Sequence, residues 1–179
     1  KRFESFVLNS NVGTVDVGIA YDFTQVSVSP LILRSLRLSN VFMEEASLFA
    51  KDHPSYDCFH HRGTDFKDTP NYISLTQASS IIQSHPNRST SLFITSDEST
   101  TVLRPMLSER LPEHAFYFIP KSMHPMLIEE EEWDVQNIGI SLAICSQAKH
   151  AFLNPSSTFS HVIGMLASST TKVVLLSRS

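Results

Sequence analysis

The sequence predicts an α/β fold, a parallel sheet carrying helices on both faces, and three observations carry that reading. From residue 30 onward, short apolar runs rich in β-branched and aromatic residues alternate with amphipathic stretches of helical period. Small polar and charged residues follow several of these runs, at the sheet edge where open α/β folds present ligand-binding groups. The composition, 179 residues with 41% hydrophobic and 18% charged, suits one domain with a sizeable core.

Taken in order, residues 1–29 read as a linker or the remnant of a preceding domain. Val12 to Val28 alternates apolar and polar residues only loosely. Residues 30–179 read as the globular domain. Pro30 to Lys51 carries Leu31, Leu33, Leu36, Leu38, Val41, Phe42, Ala46 and Phe49, and its later part has the pattern of an amphipathic helix. Tyr56 to His60 is a short aromatic-rich strand. Helices are then expected at Ser74–Ser84, Ser99–Arg110, Trp133–Lys149 and Ser156–Ala167, and strands at Ser91–Thr95, Ala115–Ile119, Ala151–Leu153 and Lys172–Leu176. In the third of these helices Ile138, Leu142 and Cys145 fall at i, i+4 and i+7, on one face. Strictly alternating strands and helices predict parallel pairing with right-handed crossovers, a Rossmann-like arrangement.

Several function classes are excluded. A formal net charge of −4, with no face-long cluster of Lys and Arg, argues against nucleic acid. No apolar run approaches the roughly 18 residues that a membrane span needs. The chain opens on Lys1 with no leader pattern, so a fragment or processed form is expected. The eight histidines show no metal-ligand spacing, and the acidic run Glu129 to Glu132 reads as a solvated loop or first helical turn. The two cysteines, Cys58 and Cys145, sit in apolar settings and are expected as buried free thiols, with a disulfide as the alternative. Asn87-Arg88-Ser89 is an acceptor triplet for N-glycosylation that matters only in the secretory pathway, whereas Asn154-Pro155-Ser156 is disqualified by its proline.

Three elements carry candidate chemistry. Around Asp57 to Phe66, residues i and i+2 of a strand share a face, so His60 and Arg62 point the same way and His61 the other. A guanidinium at a strand end suits a phosphate; the alternative is an Arg62 paired to Asp65 with His60 as a satisfied core residue. Asp97 ends the run Phe93-Ile94-Thr95-Ser96. Its carboxylate can accept the paired N–H donors of a guanine ring, or it can cap the helix starting near Ser99. Ser156, Ser157, Thr158 and Phe159 open a helix after a strand, where unpaired N–H groups and the helix dipole favour an anion; plain N-capping by Ser156 or Ser157 is the alternative.

The order His60-x-Arg62-x-x-Asp65, then a strand ending Ser96-Asp97, then Cys145-Ser-x-Ala-Lys-His-x-x-x-Asn154-x-Ser-Ser-Thr-Phe-Ser160, resembles the carboxy-terminal half of fucosyltransferases of the two-domain GT-B fold. The likeness is above all to the α1,2-fucosyltransferase family, in which a His-x-Arg-Arg-Gly-Asp element precedes a segment like Ile144 to Ser160. Protein O-fucosyltransferases and α1,6-fucosyltransferases share weaker versions. The resemblance spans Asp57 to Leu176. It implies that residues 30–179 bind a nucleotide sugar, GDP-fucose, and that Arg62 holds the diphosphate. It places His60, Asp97 and Ser156, Ser157, Thr158 and Phe159 around guanine and phosphate.

The implied reaction is transfer of fucose to a galactoside in α1,2 linkage with inversion, on a glycan or glycoprotein acceptor, in the secretory pathway lumen and the Golgi. A membrane is met only through a segment outside this chain. No metal or other cofactor is expected, since Arg62 and helix N–H groups would stabilise the charge growing on the β-phosphate as GDP leaves. Arg62 and Asp65 are the candidate catalytic residues, Asp65 as base by position. Two other readings stand beside this one: a non-catalytic nucleotide-sugar-binding or interaction domain, and a protein O-fucosyltransferase-like enzyme. Three positions depart from the family pattern. Gly63 and Thr64 stand where Arg and Gly are usual, and His161 where a Trp often follows. The amino-terminal domain is expected to be missing or reduced to residues 1–29.

Overall fold

A computed structural model of the chain describes residues 4–10, 13–19, 38–64, 66–119 and 130–177. Two strands, β1 (Glu4–Ser10) and β2 (Gly13–Ile19), pair antiparallel within the stretch read as linker or remnant, with Glu4 opposite Ile19 and Ser10 opposite Gly13. Then come α1 (Asn40–Asp52), β3 (Asp57–His61), α2 (Leu75–Ser84), β4 (Ser91–Ser96), α3 (Thr100–Arg110), β5 (Ala115–Tyr117), α4 (Glu130–Ser146), β6 (His150–Leu153), α5 (Thr158–Leu166) and β7 (Lys172–Leu175). Leu31, Leu33 and Leu36 lie outside the described residues, as does Glu129; Glu130 to Glu132 form the first turn of α4.

Strands β3 to β7 form one sheet in the order β5-β4-β3-β6-β7, and every pairing is parallel. The α/β expectation is met, because each strand returns through a helix. The side-chain alternation of the strands divides the core into two layers. Cys58, Phe93, Ala151 and Leu153 face α1, α4 and α5, where they pack with Ala46, Ile140, Ala143, Ile144 and Ile163. Phe59, Leu92, Ile94 and Phe152 face α2 and α3, against Leu75, Ala78, Ile82, Leu103 and Leu107. Burying both faces explains why these strands read as continuous apolar runs rather than as strict alternation.

Local chemistry sets the helix ends. Ser74 and Gln77 form a capping box at α2: Gln77 N–H donates to Ser74 Oγ (3.2 Å) and Ser74 N–H to Gln77 Oε1 (3.0 Å). Ser99 caps α3 by accepting Thr101 N–H at 3.3 Å. Helix α4 stops at Ser146, three residues short of the expected Lys149. There Ser168 N–H and Thr171 Oγ1 donate to the Ser146 carbonyl at 2.8 and 2.9 Å and satisfy an acceptor the helix leaves open.

The expectation of free thiols is corrected. Cys58, the second residue of β3, and Cys145, at the end of α4, form a disulfide across a Cα–Cα distance of 5.2 Å, and both are fully buried. The apolar settings were read rightly. A sequence separation of 87 lies between the two, so nothing local in the sequence signals that the last turn of α4 settles on β3.

Gly139 shows how tightly α1 and α4 approach. A Cβ at this position would fall well inside contact distance of the Phe42 ring carbons. Gly139→Ala is therefore expected to lower stability by about 1–3 kcal/mol by overpacking, despite alanine's better helix propensity. Denaturant titration checks it, and an unchanged midpoint would mean that the α1–α4 spacing is slack.

Candidate functional site

The sheet order reverses between β3 and β6. From β3 the chain moves outward to β4 and β5; it then crosses back to β6, on the other flank of β3, and continues outward to β7. The loops leaving β3 and β6 thus diverge to opposite faces, and the crevice between their carboxyl ends is where open α/β sheets bind ligands. Several of the sequence-predicted residues stand at these strand ends. Arg62, Gly63 and Thr64 leave β3, and Asn154 to Ser157 leave β6.

Register brings the ends of β3 and β4 level, with His61 paired to Ser96, so Arg62 and Asp97 emerge side by side. Arg62 Nε lies 3.5 Å from Asp97 Oδ2, and its guanidinium stands 5.7 Å from the centre of the Phe66 ring, a cation–π distance. Asp97 Oδ1 accepts Gly63 N–H at 2.8 Å, and Oδ2 accepts Thr64 N–H at 3.2 Å and Thr64 Oγ1 at 2.5 Å. Burial pushes the Asp97 carboxyl upward, but these three hydrogen bonds and the Arg62 charge outweigh it and hold it below the usual carboxylate range.

One alternative is set aside here. Asp97 does not cap α3, a task Ser99 performs. Oδ2 takes two hydrogen bonds and the ion pair, so Asp97 anchors the Arg62 loop. The salt-bridge partner anticipated for Arg62, Asp65, lies outside the described residues.

On the other flank, α5 begins without a side-chain cap: Ser157 is the N-cap residue and its hydroxyl makes no capping bond. Asn154 shapes the turn instead, accepting Ser156 N–H on Oδ1 (3.0 Å) and Ser157 N–H on its carbonyl (3.1 Å). Capping by Ser156 or Ser157 is therefore set aside. The start of α5 at Thr158 and Phe159, both half-buried, keeps the uncompensated dipole end that favours an anion.

His60 ties the two flanks together. Its Nδ1 lies 2.7 Å from Ser160 Oγ and its ring 4.8 Å from that of Phe159. Both His60 and Ser160 are buried, so His60 follows the core-residue reading and fixes α5 against β3. Burial, helped by the nearby Arg62 charge, pushes the His60 pKa down to about 3. The folded state thus holds this ring neutral while the unfolded chain protonates it near pH 6.5. Its contribution to stability is complete above that value and is lost as pH falls toward 3, by about 1.4 kcal/mol per pH unit. His61 and His114 are also lowered by burial and act in the same direction. In acid titrations of stability, His60→Asn is expected to flatten this limb by one proton's slope; an unchanged slope would contradict the assignment.

His61 points to the opposite face, as the strand period requires, and its Nε2 lies 3.2 Å from Glu98 Oε2. Lys67 Nζ reaches Glu98 Oε1 at 2.6 Å. A Cβ at Gly63 would come within 2.6 Å of Glu98 Oε2 and 2.8 Å of His61 Nε2, so a side chain here must displace this pair. Sequence reasoning missed Glu98 and Ser160. Ser160 carried a faint signal, since Ser157, Ser160 and Ile163 recur every third residue along the buried side of α5. Among the described residues no group of His, Cys, Asp and Glu could hold a metal ion, and no helix is long and apolar enough to cross a membrane.

No protein-family model matches the chain, and no curated protein is similar in sequence. Solved structures are similar in fold. The chain superposes on POFUT1 in complex with GDP-fucose with a TM-score of 0.60 and 18% identity, over 83% of this chain and 49% of POFUT1. On POFUT1 in its apo form the TM-score is 0.58, at 18% identity over 82% and 49%. On POFUT1 in complex with GDP it is 0.54, at 18% identity over 82% and 51%. The chain thus spans about half the length of these structures, and its fold is one Rossmann-like half of a GT-B architecture.

Proposed function

We propose that this chain is the GDP-fucose-binding part of an inverting fucosyltransferase. The reading rests chiefly on one juxtaposition: at the point where the strand order reverses, the Asp97-anchored Arg62 and the uncapped start of α5 flank one crevice, held together by the His60–Ser160 bond. Cation and helix N-terminus suit a diphosphate. Departure of GDP places charge on the β-phosphate, and groups fixed before the reaction stabilise it without reorganising. The POFUT1 complexes with GDP-fucose and GDP support a guanine nucleotide as the donor's carrier.

The finer assignment, α1,2 transfer to a galactoside, rests on the likeness of the His-x-Arg and Asn-x-Ser-Ser-Thr-Phe-Ser elements. A protein O-fucosyltransferase-like enzyme is the second reading, and the likeness in fold to POFUT1 is consistent with it. The buried Cys58–Cys145 disulfide supports an oxidising compartment, in keeping with the secretory lumen and the Golgi. Neither metal nor other cofactor enters the proposal.

The test is ligand-induced stabilisation. GDP at about 100 times its Kd is expected to add about 2.7 kcal/mol of stability, and ADP at the same concentration much less. Equal shifts would remove the guanine assignment, and no shift with either would sink the nucleotide site. Incubation with labelled GDP-fucose and a terminal galactoside then tests chemistry separately from binding. Residues 1–179 are expected to bind GDP without transferring fucose, because the acceptor cleft of a GT-B enzyme needs both domains.

A further inference from the structure

We propose that Asn87 is an N-glycosylation site, carrying an oligosaccharide at the edge of the sheet opposite the nucleotide crevice. The triplet Asn87-Arg88-Ser89 is common enough by chance that alone it decides nothing. The structure adds three independent observations.

First, Asn87 is exposed in the connection between α2 and β4, with a left-handed backbone (φ 63°), the one such non-glycine among the described residues. The turn is held through its backbone. Lys149 Nζ donates to the Asn87 carbonyl at 2.7 Å, and Ser89 N–H donates to the buried Asp57 Oδ2 at 2.7 Å. Among the described residues no hydrogen bond or ion pair engages the Asn87 side-chain amide, so a glycan there breaks no polar contact among them.

Second, the Cys58–Cys145 disulfide is fully buried between β3 and α4, which requires the chain to fold where thiols are oxidised. Glycan transfer to asparagine belongs to that route. Ser89 is itself buried, its hydroxyl 3.0 Å from Ser55 Oγ. The triplet is therefore available while the chain is extended, and Ser89 closes into the core afterwards with Asn87 left in solvent.

Third, the position is compatible with activity. Asn87 precedes β4, whereas Asp97 follows it, so the length of the strand separates the glycan from Arg62 and the start of α5. The other asparagine with a serine two residues on, Asn154, is buried, followed by Pro155, and spends its side-chain oxygen on Ser156 N–H. It serves as the internal control.

The co-reactant is a lipid-diphosphate-linked oligosaccharide. Asn87 Nδ2 bonds to the anomeric carbon of its first sugar, the bond from that carbon to the diphosphate oxygen breaks, the lipid diphosphate departs and one amide proton passes to solvent.

The experiment maps the full-length protein isolated from the cells that make it. Digestion with a peptide N-glycosidase in heavy-oxygen water should return Asn87 as labelled aspartate in most molecules and Asn154 as unlabelled asparagine. Asn87→Asp, which keeps the left-handed turn, should lose one glycan's worth of mass, and Ser89→Thr should keep it. Recovery of Asn87 as unmodified asparagine in the native protein would overturn the proposal, as would an Asn87→Asp variant that retains the full glycan mass.

Discussion

Removing the Cys58–Cys145 disulfide is expected to cost about 4–5 kcal/mol, a large share of the roughly 5–15 kcal/mol that holds a typical domain together. The link closes a loop with a sequence separation of 87, so it excludes a large part of the unfolded ensemble. It also fastens α4 to the central strand β3, in the layer where Ala143 and Ile144 of α4 and Ala151 of β6 are buried. The Cys58→Ala, Cys145→Ala double variant avoids a stray thiol, and urea titration of both forms gives the difference. The midpoint should fall and the slope should rise, because the unfolded chain without the link is less compact and exposes more surface. Equal stability with and without the bond would mean that tertiary packing alone fixes α4, and would weaken the case for an oxidising compartment.

Arg62→Ala should leave the fold nearly intact and remove most of the nucleotide affinity. The Arg62–Asp97 pair is partly exposed, with side chains 25% and 20% accessible, and pairs of this kind contribute about 0–1 kcal/mol. Charge-assisted contacts to a diphosphate contribute more, and their loss is expected to weaken GDP binding by about 2–3 kcal/mol, or roughly 30- to 150-fold. Arg62→Lys keeps the charge and loses the planar fork, so it should fall between the two. Calorimetric binding and thermal unfolding on the same samples separate the possibilities. A fall in stability with unchanged GDP affinity would make Arg62 a structural residue only. Asp97→Asn gives a complementary result. With the carboxylate charge gone, the hold on Gly63, Thr64 and Arg62 loosens, so GDP binding should weaken through the displaced Arg62 loop.

What was legible in the sequence follows the range over which each signal acts. The strand at Phe59 and the helices at Ser74 and Ser99 were readable because periodicity and capping are encoded within a few neighbouring residues. The same short range placed His60 and Arg62 on one face and His61 on the other, and the structure keeps His60 and His61 on opposite sides. Parallel pairing, with polar groups at the carboxyl ends of the strands, followed as soon as strands and helices alternated; the strand order, and the point where it reverses, came from the structure. Element ends were less secure: α4 stops at Ser146 because Ser168 and Thr171, more than twenty residues downstream, take its last carbonyl.

By itself, then, the sequence determined the fold class, the succession of elements and the loops that carry polar chemistry. Only the tertiary structure decided which of those side chains are engaged with one another. Asp97 belongs to the Gly63–Thr64 loop rather than to its own helix, His60 to Ser160 a hundred positions away, and Cys58 to Cys145. Each of these contacts joins separate elements at the level of a hydrogen bond or a covalent bond, and such contacts form only after the layers have packed. Local propensity fixes where a chain turns, whereas burial of two sheet faces fixes which distant residues must satisfy each other.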